Sequence, residues 1–211
     1  MSILNFHYCT PPDAVAVNYD LKRVIGENET GFRGRDDAIY RTEGWDFLLA
    51  GGGLYNNLDY SFTWKNAAGT FLEYKSPGGG SPTLRRQLRV LKEFLYGFDF
   101  IRMTPDNSVI RSVIGGMSAR ALVQPGRAYA IYVHAPLPHS PKPPELQKYL
   151  NEPAQVELIL NLAEGKYLCE WVNTKTGEVT PSEKFTHAGG DKPLKSQPFT
   201  SDIALRLATE P

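Results

Sequence analysis

The first half of the chain alternates short apolar runs with segments of helical spacing. Runs of strand length occupy residues 2–8, 23–29 and 54–62, and the first ends at the breaker Thr10-Pro11-Pro12. Helical segments follow the second and the third run. This strand, helix, strand, helix order predicts parallel pairing of the strands with right-handed crossovers.

Both helical segments have recognisable ends. Residues 37–50 carry apolar positions and Arg41 on one helical stripe, with Asp36 or Asp37 as the cap and three glycines behind. Residues 82–96 begin with a proline, which suits the first helical position. Their apolar stripe should face the parallel strands and consists of Leu84, Leu88, Leu91 and Leu95. The basic positions on the same helix should face water and are Arg85, Arg86, Arg89 and Lys92.

Beyond residue 106 the pattern changes to short strands separated by glycine and proline. The predicted strands are residues 109–114, 119–123, 128–134, 156–160, 167–172, 179–185 and 203–207. Their number and spacing predict an antiparallel β-sandwich with Tyr132 and Trp171 inside. We interpret the proline-rich insert 135–153 as a stiff exposed loop. The chain thus divides into residues 1–107 and 108–211, of class α/β followed by all-β.

Composition and charge exclude several partners. The 211 residues are 41% hydrophobic, and 23 basic residues balance 23 acidic ones, so nothing favours nucleic acid or an anionic membrane. No apolar run approaches the roughly 18 residues of a membrane helix, and we expect no export signal in this chain. The two cysteines, Cys9 and Cys169, are far apart in apolar settings, which favours buried free thiols over a disulfide. They therefore do not indicate a cellular compartment.

Two carboxylates end the second apolar run. Strand alternation predicts that Glu27 and Glu29 lie on one face, at the end of a parallel strand where a (β/α)8 barrel holds its catalytic groups. Retaining glycoside hydrolysis needs a carboxylate nucleophile about 5 Å from an acid. Spacing alone does not make these residues that pair, and a strand-end carboxylate that caps the next loop is the alternative interpretation.

Polar and aromatic residues also end the neighbouring strands. His7 and Tyr8 close the first strand, and Trp64 follows the third, which carries Asn57, Asp59 and Tyr60. Such a set suits a sugar, whose hydroxyls bind carboxylates and amides while its apolar face stacks on an indole. A buried imidazole at His7 and a core aromatic at Tyr60 are the alternatives.

No cofactor or metal is indicated by the sequence. The four histidines, at positions 7, 134, 139 and 187, show no paired spacing of metal ligands. The glycine triplets at 51–53 and 78–80 lack the lysine and spacing of a phosphate loop, so they predict turns.

Longer strings carry a family resemblance. These are Glu-Asn-Glu-Thr-Gly-Phe at 27–32, Tyr-Arg at 40–41, Trp-Asp-Phe-Leu-Leu-Ala-Gly-Gly at 45–52 and Tyr-Asn-Asn-Leu-Asp-Tyr-Ser-Phe-Thr at 55–63. They resemble a family of (β/α)8 glycoside hydrolases in the retaining, endoglucanase-like clan. The tail resembles the domain labelled "collagen-binding domain of a collagenase". The residues that carry this resemblance are 125–132, 165–171, Thr176-Gly177 and 202–205.

The resemblance implies roles for the strand ends. Glu29 matches the nucleophile at the end of the seventh barrel strand, with His7 and Tyr8 ending the sixth and residues 54–62 forming the eighth. The family's acid/base glutamate lies on the fourth strand, which this chain does not contain. We therefore expect a fragment of a longer gene, inactive alone, or a partner chain that supplies the missing N-terminal half of the barrel. The family also suggests a secreted or periplasmic location.

Two function classes compete. In the enzyme interpretation the intact protein hydrolyses a β-linked polysaccharide or glycoconjugate through Glu29. In the alternative the sandwich is a non-catalytic carbohydrate- or matrix-binding module. A glycan-binding sandwich needs exposed aromatics, and its single tryptophan, Trp171, is predicted to be core, so an accessory role is favoured. No feature of the tail is suited to recognising the triple helix of collagen, and the sequence lacks the motifs of a peptidase.

Overall fold

The computed structural model describes residues 2–8, 12–30 and 33–210, which form a mixed α/β structure made mostly of sheets. The helices are α1 (Asp13–Asn18), α2 (Asp37–Leu49), α3 (Pro82–Tyr96) and α4 (Pro143–Asn151). The strands of the first half are β1 (Ile3–His7), β2 (Val24–Thr30) and β3 (Leu54–Asn57). Those that follow are β4 (Thr104–Pro105), β5 (Ile110–Ile114), β6 (Ser118–Gln124), β7 (Ala128–His134), β8 (Pro153–Ala154), β9 (Glu157–Val172), β10 (Glu183–Lys195), β11 (Phe199–Thr200) and β12 (Asp202–Thr209).

A parallel sheet of order β1-β2-β3 forms the first half, as the alternation of strands and helices predicted. The third strand is shorter than expected and ends at Asn57 rather than at residue 62. Asp59 is the reason, because its Oδ1 accepts the Ser61 backbone N–H at 2.9 Å and turns the chain out of the extended path. Residues 58–81 then return to α3 without regular structure.

Helix α2 lies between two sheets and is buried nearly all round. Its Phe47 packs into a cluster with Ile25 of the parallel sheet, while Trp45 stacks on Tyr132 of β7 with ring centroids 5.2 Å apart. Asp36 caps it by accepting the Ala38 backbone N–H at 2.9 Å. A helix enclosed in this way needs apolar groups on every side.

Helix α3 has the predicted bounds, but its apolar stripe faces a different surface. Leu84, Leu91 and Leu95 are buried against α2 and the antiparallel sheet, not against the parallel strands. The parallel sheet is already covered on its helix side by α2, which leaves α3 to pack outside it. Arg86 and Arg89 are exposed as predicted, whereas Arg85 is only partly exposed and forms an ion pair.

An antiparallel sheet of order β10-β9-β12-β7-β6-β4 dominates the second half, with β5 also paired to β9. Two predicted strands, 156–160 and 167–172, are one strand, β9, because β10 pairs with it over nearly its whole length and keeps its polar middle extended. The strand predicted at 179–185 begins only at Glu183 and continues to Lys195. Cys169 is a buried free thiol on β9, and Cys9 lies outside the described residues.

The antiparallel sheet has a hydrophobic core on each side. Trp171 belongs to the core enclosed by the second half, while Tyr132 belongs to the core shared with α2 and α3. Both side chains are buried, as predicted. The sheet therefore joins the two halves of the chain through Tyr132 and its neighbours.

The insert 135–153 contains a helix where an exposed loop was predicted. Pro143 and Pro144 occupy the first turn of α4, where backbone N–H groups have no partner to lose. The Lys142 N–H donates to Glu145 Oε2 at 2.7 Å, and Tyr149 is buried with its hydroxyl 2.7 Å from Thr42 Oγ1. Burial of Tyr149 ties this helix to α2, and the prediction of a loop was wrong here.

Candidate functional site

Glu29 lies at the C-terminal end of β2, beside the end of β1. The Tyr8 hydroxyl donates to Glu29 Oε1, and His7 Nδ1 is 3.1 Å from Glu29 Oε2. The Tyr8 backbone N–H also donates to the Glu29 carbonyl at 2.9 Å, with Tyr8 in a left-handed conformation, φ 57°. The carboxylate side chain is 33% exposed, so it is held by two neighbours and open to solvent.

Tyr8 is kept protonated by this arrangement. Its hydrogen bond to Glu29 raises the pKa of Tyr8 to about 12. The phenol therefore remains a hydrogen-bond donor to Glu29 well above neutral pH. A carboxylate that is fixed at both oxygens but accessible is suited to nucleophilic attack.

Glu27 lies on the opposite side of the sheet from Glu29, contrary to the prediction of a shared face. Phe6 pairs with Glu27, but His7 pairs with Glu29, because the register shifts between them. Consecutive residues on a strand point to opposite faces, so Glu29 shares the face of His7 and Glu27 that of Phe6. Glu27 is fully buried beside Tyr55, which pairs with it.

The other predicted residues are divided among three settings. Tyr60 is half-buried and packs beside Tyr74, with ring centroids 6.0 Å apart. Asn57 is buried and pairs with Thr30. Asp59 forms an ion pair with Arg85, Nη1 to Oδ2 2.5 Å, and Trp64 stands 88% exposed on the loop beyond. The structure thus brings His7, Tyr8 and Glu29 together, and leaves Glu27, Asn57, Asp59 and Tyr60 in structural contacts.

A buried carboxylate behind the strand end was missed by the sequence interpretation. Glu43 of α2 accepts a hydrogen bond from Thr30 Oγ1 at 2.6 Å, and from the Tyr55 hydroxyl at 3.3 Å. Burial raises the pKa of Glu43. Its bond to Thr30 anchors the residue that follows Glu29. The available signal was a glutamate in the middle of a helix whose other positions are mostly apolar.

A second missed feature joins the two halves of the chain. Arg41 of α2 forms a two-point ion pair with Asp202 of β12, with distances of 3.0 Å from Nε and 2.6 Å from Nη2. Gln87 and the Tyr132 hydroxyl complete this buried network. The signal was present, because an arginine in an apolar helical stripe requires a buried partner.

Within residues 2–8, 12–30 and 33–210, no three His, Cys, Asp or Glu side chains are placed to hold a metal ion. A helix long and apolar enough to cross a membrane is likewise not found in the described part of the chain.

The fold of this chain resembles a part of several solved glycoside hydrolase structures. One structure titled "Glycoside hydrolase" matches with a TM-score of 0.58 and 14% identity, over 89% of this chain and 43% of the other. A glycoside hydrolase family 5 structure from Bacteroides vulgatus ATCC 8482 matches with a TM-score of 0.58 and 14% identity, over 89% of this chain and 42% of that one. The chain therefore spans less than half the length of either structure.

Comparisons of sequence add no relative. No family model matches the chain, and no curated protein matches it. At 14% identity the likeness to the two structures concerns the fold alone.

Proposed function

We propose that this chain is the C-terminal portion of a retaining glycoside hydrolase and that Glu29 is its catalytic nucleophile. The observation that carries the proposal is the setting of Glu29. It ends a parallel strand, Tyr8 and His7 hold its two oxygens, and its side chain is 33% exposed. Active sites of (β/α)8 barrels lie at this end of the strands.

The open parallel sheet supports the idea that more strands complete the barrel. On one face Ile3, Val24 and Leu54 are 45%, 48% and 43% exposed, although they lie on three adjacent strands. Apolar residues at these positions suit the interior of a closed barrel. We infer that β1, β2 and β3 are the sixth to eighth strands and that the missing N-terminal half of the barrel is their partner.

The chemistry requires two carboxyl groups, of which this chain supplies one. Glu29 attacks the anomeric carbon, and its C–O bond forms as the glycosidic C–O bond breaks. A second carboxylic acid gives its proton to the leaving oxygen, then takes one from the water that hydrolyses the glycosyl ester. Tyr8 and His7 orient Glu29. We place the second acid on the missing half, and the substrate is a polysaccharide or glycoconjugate.

The second half of the chain has an accessory role in this proposal, with residues 108–211 as a β-sandwich packed on the barrel portion. Trp171 is 6% exposed and so is not available as a stacking surface on the sheet. This observation favours the enzyme over a carbohydrate- or matrix-binding module.

Replacement of Glu29 tests the proposal. In the full-length protein, Glu29→Gln should lower kcat by about a thousandfold or more, since only the transition state loses the nucleophile. The fold should persist, because the amide can still accept from Tyr8. The matched control is Glu164→Gln, an exposed glutamate on β9, which should leave kcat unchanged.

A 2-deoxy-2-fluoro glycoside that traps the covalent intermediate gives the sharper readout by peptide mass spectrometry. Label should appear on Glu29, and residues 1–211 alone should hydrolyse nothing. Label on Glu27, or hydrolysis by the 211-residue chain alone, would show that the assignment is wrong.

A further inference from the structure

Trp64 lies at the tip of a tight turn in the loop between β3 and α3. The Asn66 N–H donates to the Thr63 carbonyl at 2.9 Å, and the Thr63 N–H donates back to the Asn66 carbonyl at 3.4 Å. Trp64 and Lys65 are the two central residues of this turn, and the indole is 88% exposed. Lys65 Nζ lies 4.8 Å from the ring centroid, so one face of the indole is left open.

Arg85 of α3 binds both arms of this loop. On the incoming arm its Nη1 donates to Asp59 Oδ2 at 2.5 Å and to Ser61 Oγ at 2.9 Å. On the returning arm its Nη2 donates to the Gly69 carbonyl at 2.6 Å. The guanidinium also lies 4.7 Å from the centroid of the Phe62 ring. One planar group therefore clamps the two arms that flank the turn.

The returning arm has no free space at this clamp. Gly69 has φ +66°, and a Cβ there would lie 2.6 Å from the Phe62 ring and 2.8 Å from Arg85 Nη2. Arg85 itself sits in the first turn of α3, with its N–H donating to the Ser81 carbonyl at 3.1 Å. The loop is thus attached to a regular helix rather than to another loop.

We propose that Arg85 is a positioning residue, which holds Trp64 as a fixed stacking surface for one sugar ring of the substrate. The assignment of a sugar ring as the ligand of Trp64 rests on the proposed glycoside hydrolase function. A loop that is fixed before binding loses less conformational entropy when the apolar face of a sugar stacks on its indole. Asp59, predicted to bind substrate, then acts through Arg85 and the loop instead.

Nuclear magnetic resonance of the three indole N–H groups measures the clamp directly. Trp45 and Trp171 are buried, and Trp64→Phe identifies the third signal. Arg85→Met should lower the ¹H–¹⁵N heteronuclear NOE of the Trp64 indole. Arg86→Met is the matched control, since Arg86 is exposed and its side chain bonds Thr83 of its own helix, and it should change nothing. Asp59→Asn should loosen the indole as Arg85→Met does, because it weakens the same clamp from the loop side.

The affinity for an oligosaccharide is a measurement that a purely structural role of Arg85 would leave unchanged. In full-length protein carrying Glu29→Gln, cellohexaose, xylohexaose and mannohexaose are titrated against the Trp64 indole signal. At least one should bind, and Arg85→Met should weaken it about tenfold, the loss of about 1.4 kcal/mol, with an unchanged melting temperature relative to Arg86→Met. In the active enzyme the same change should raise KM and leave kcat within about twofold.

An indole that stays rigid in Arg85→Met overturns the proposal. So does a Trp64 signal that none of the three hexasaccharides moves, or an affinity equal to that of Arg86→Met. The proposed function fails separately, if the fluoro glycoside does not label Glu29 while the Arg85 effects persist.

Discussion

At the scale of single residues, the contacts that matter most are those of charged groups inside the protein. Arg41 and Asp202 are 2% and 0% exposed at their side chains, and they come from the two halves of the chain. The Arg41 charge lowers the pKa of Asp202 although burial acts in the opposite direction. Asp202 is therefore ionised at neutral pH, and each charge depends on the other.

We expect Asp202→Asn to lower the free energy of unfolding by about 3–5 kcal/mol, because the Arg41 charge stays buried without its counterion. Urea denaturation followed by circular dichroism measures the change. Asp99→Asn is the matched control, since Asp99 pairs with Arg102 on the surface at 3.0 Å. Its effect should stay below about 1 kcal/mol. Equal losses in the two variants would contradict a special role for the buried pair.

At this scale the sequence predicted that Glu29 lies near His7 and Tyr8, but not where the third strand ends or which face Glu27 occupies. The proximity of Glu29 to His7 and Tyr8 follows from their positions at the ends of adjacent parallel strands, and it is confirmed by their contacts in the structure. The placement of Glu29 and Glu27 on opposite faces depends on a register shift between β1 and β2 that no local pattern reports. The catalytic and substrate-binding roles of these residues stay predictions.

At the scale of elements, helix ends are where local sequence is most informative. Ser81 caps α3, with its Oγ accepting the Leu84 N–H at 2.9 Å and donating to Asp37 Oδ2 at 2.6 Å. One side chain therefore fixes the start of α3 and joins it to the first turn of α2. Burial raises the pKa of Asp37.

Ser81→Ala should cost about 1–2 kcal/mol of unfolding free energy, because the first turn of α3 loses its cap and Asp37 loses a donor. Thr83→Ala, two residues along and exposed, should stay within about 0.5 kcal/mol. Thermal and urea unfolding of both variants make the comparison. A Ser81→Ala protein as stable as Thr83→Ala would show that the proline at position 82 suffices to start the helix.

At the scale of the whole molecule, α2 holds the parallel and the antiparallel sheet together. Besides Arg41, it uses Asp46, which lies 3.2 Å from His134 Nε2 and 3.1 Å from Arg120 Nε. Burial opposes protonation of His134, but the hydrogen bond and charge of Asp46 outweigh it and raise the pKa of His134. Contact between the two halves is therefore linked to pH.

This linkage predicts how stability changes with pH. Because the folded pKa of His134 lies above its ordinary value near 6.5, the stabilisation is fully present below pH 6.5 and is lost as pH rises through the folded pKa. The stability difference between the wild-type protein and His134→Gln should thus be larger at pH 6 than at pH 8.5, by urea denaturation. His187→Gln serves as control, because His187 is a partly exposed histidine on β10 that bonds the Gly190 carbonyl of its own strand. A difference that is constant with pH would mean that the pKa of His134 is the same in the folded and the unfolded protein.

The sequence by itself determined the local features of this protein. Periodicity and end residues located β1, β2 and β7 and the bounds of α2 and α3 to within a residue or two, because strand alternation, helical spacing and caps act between near neighbours. Only the tertiary structure decided which surface α3 covers, that two strands merge into β9, and that Arg41 meets Asp202. These features depend on contacts between residues far apart in the chain, and a local pattern records that a position is buried without recording against what.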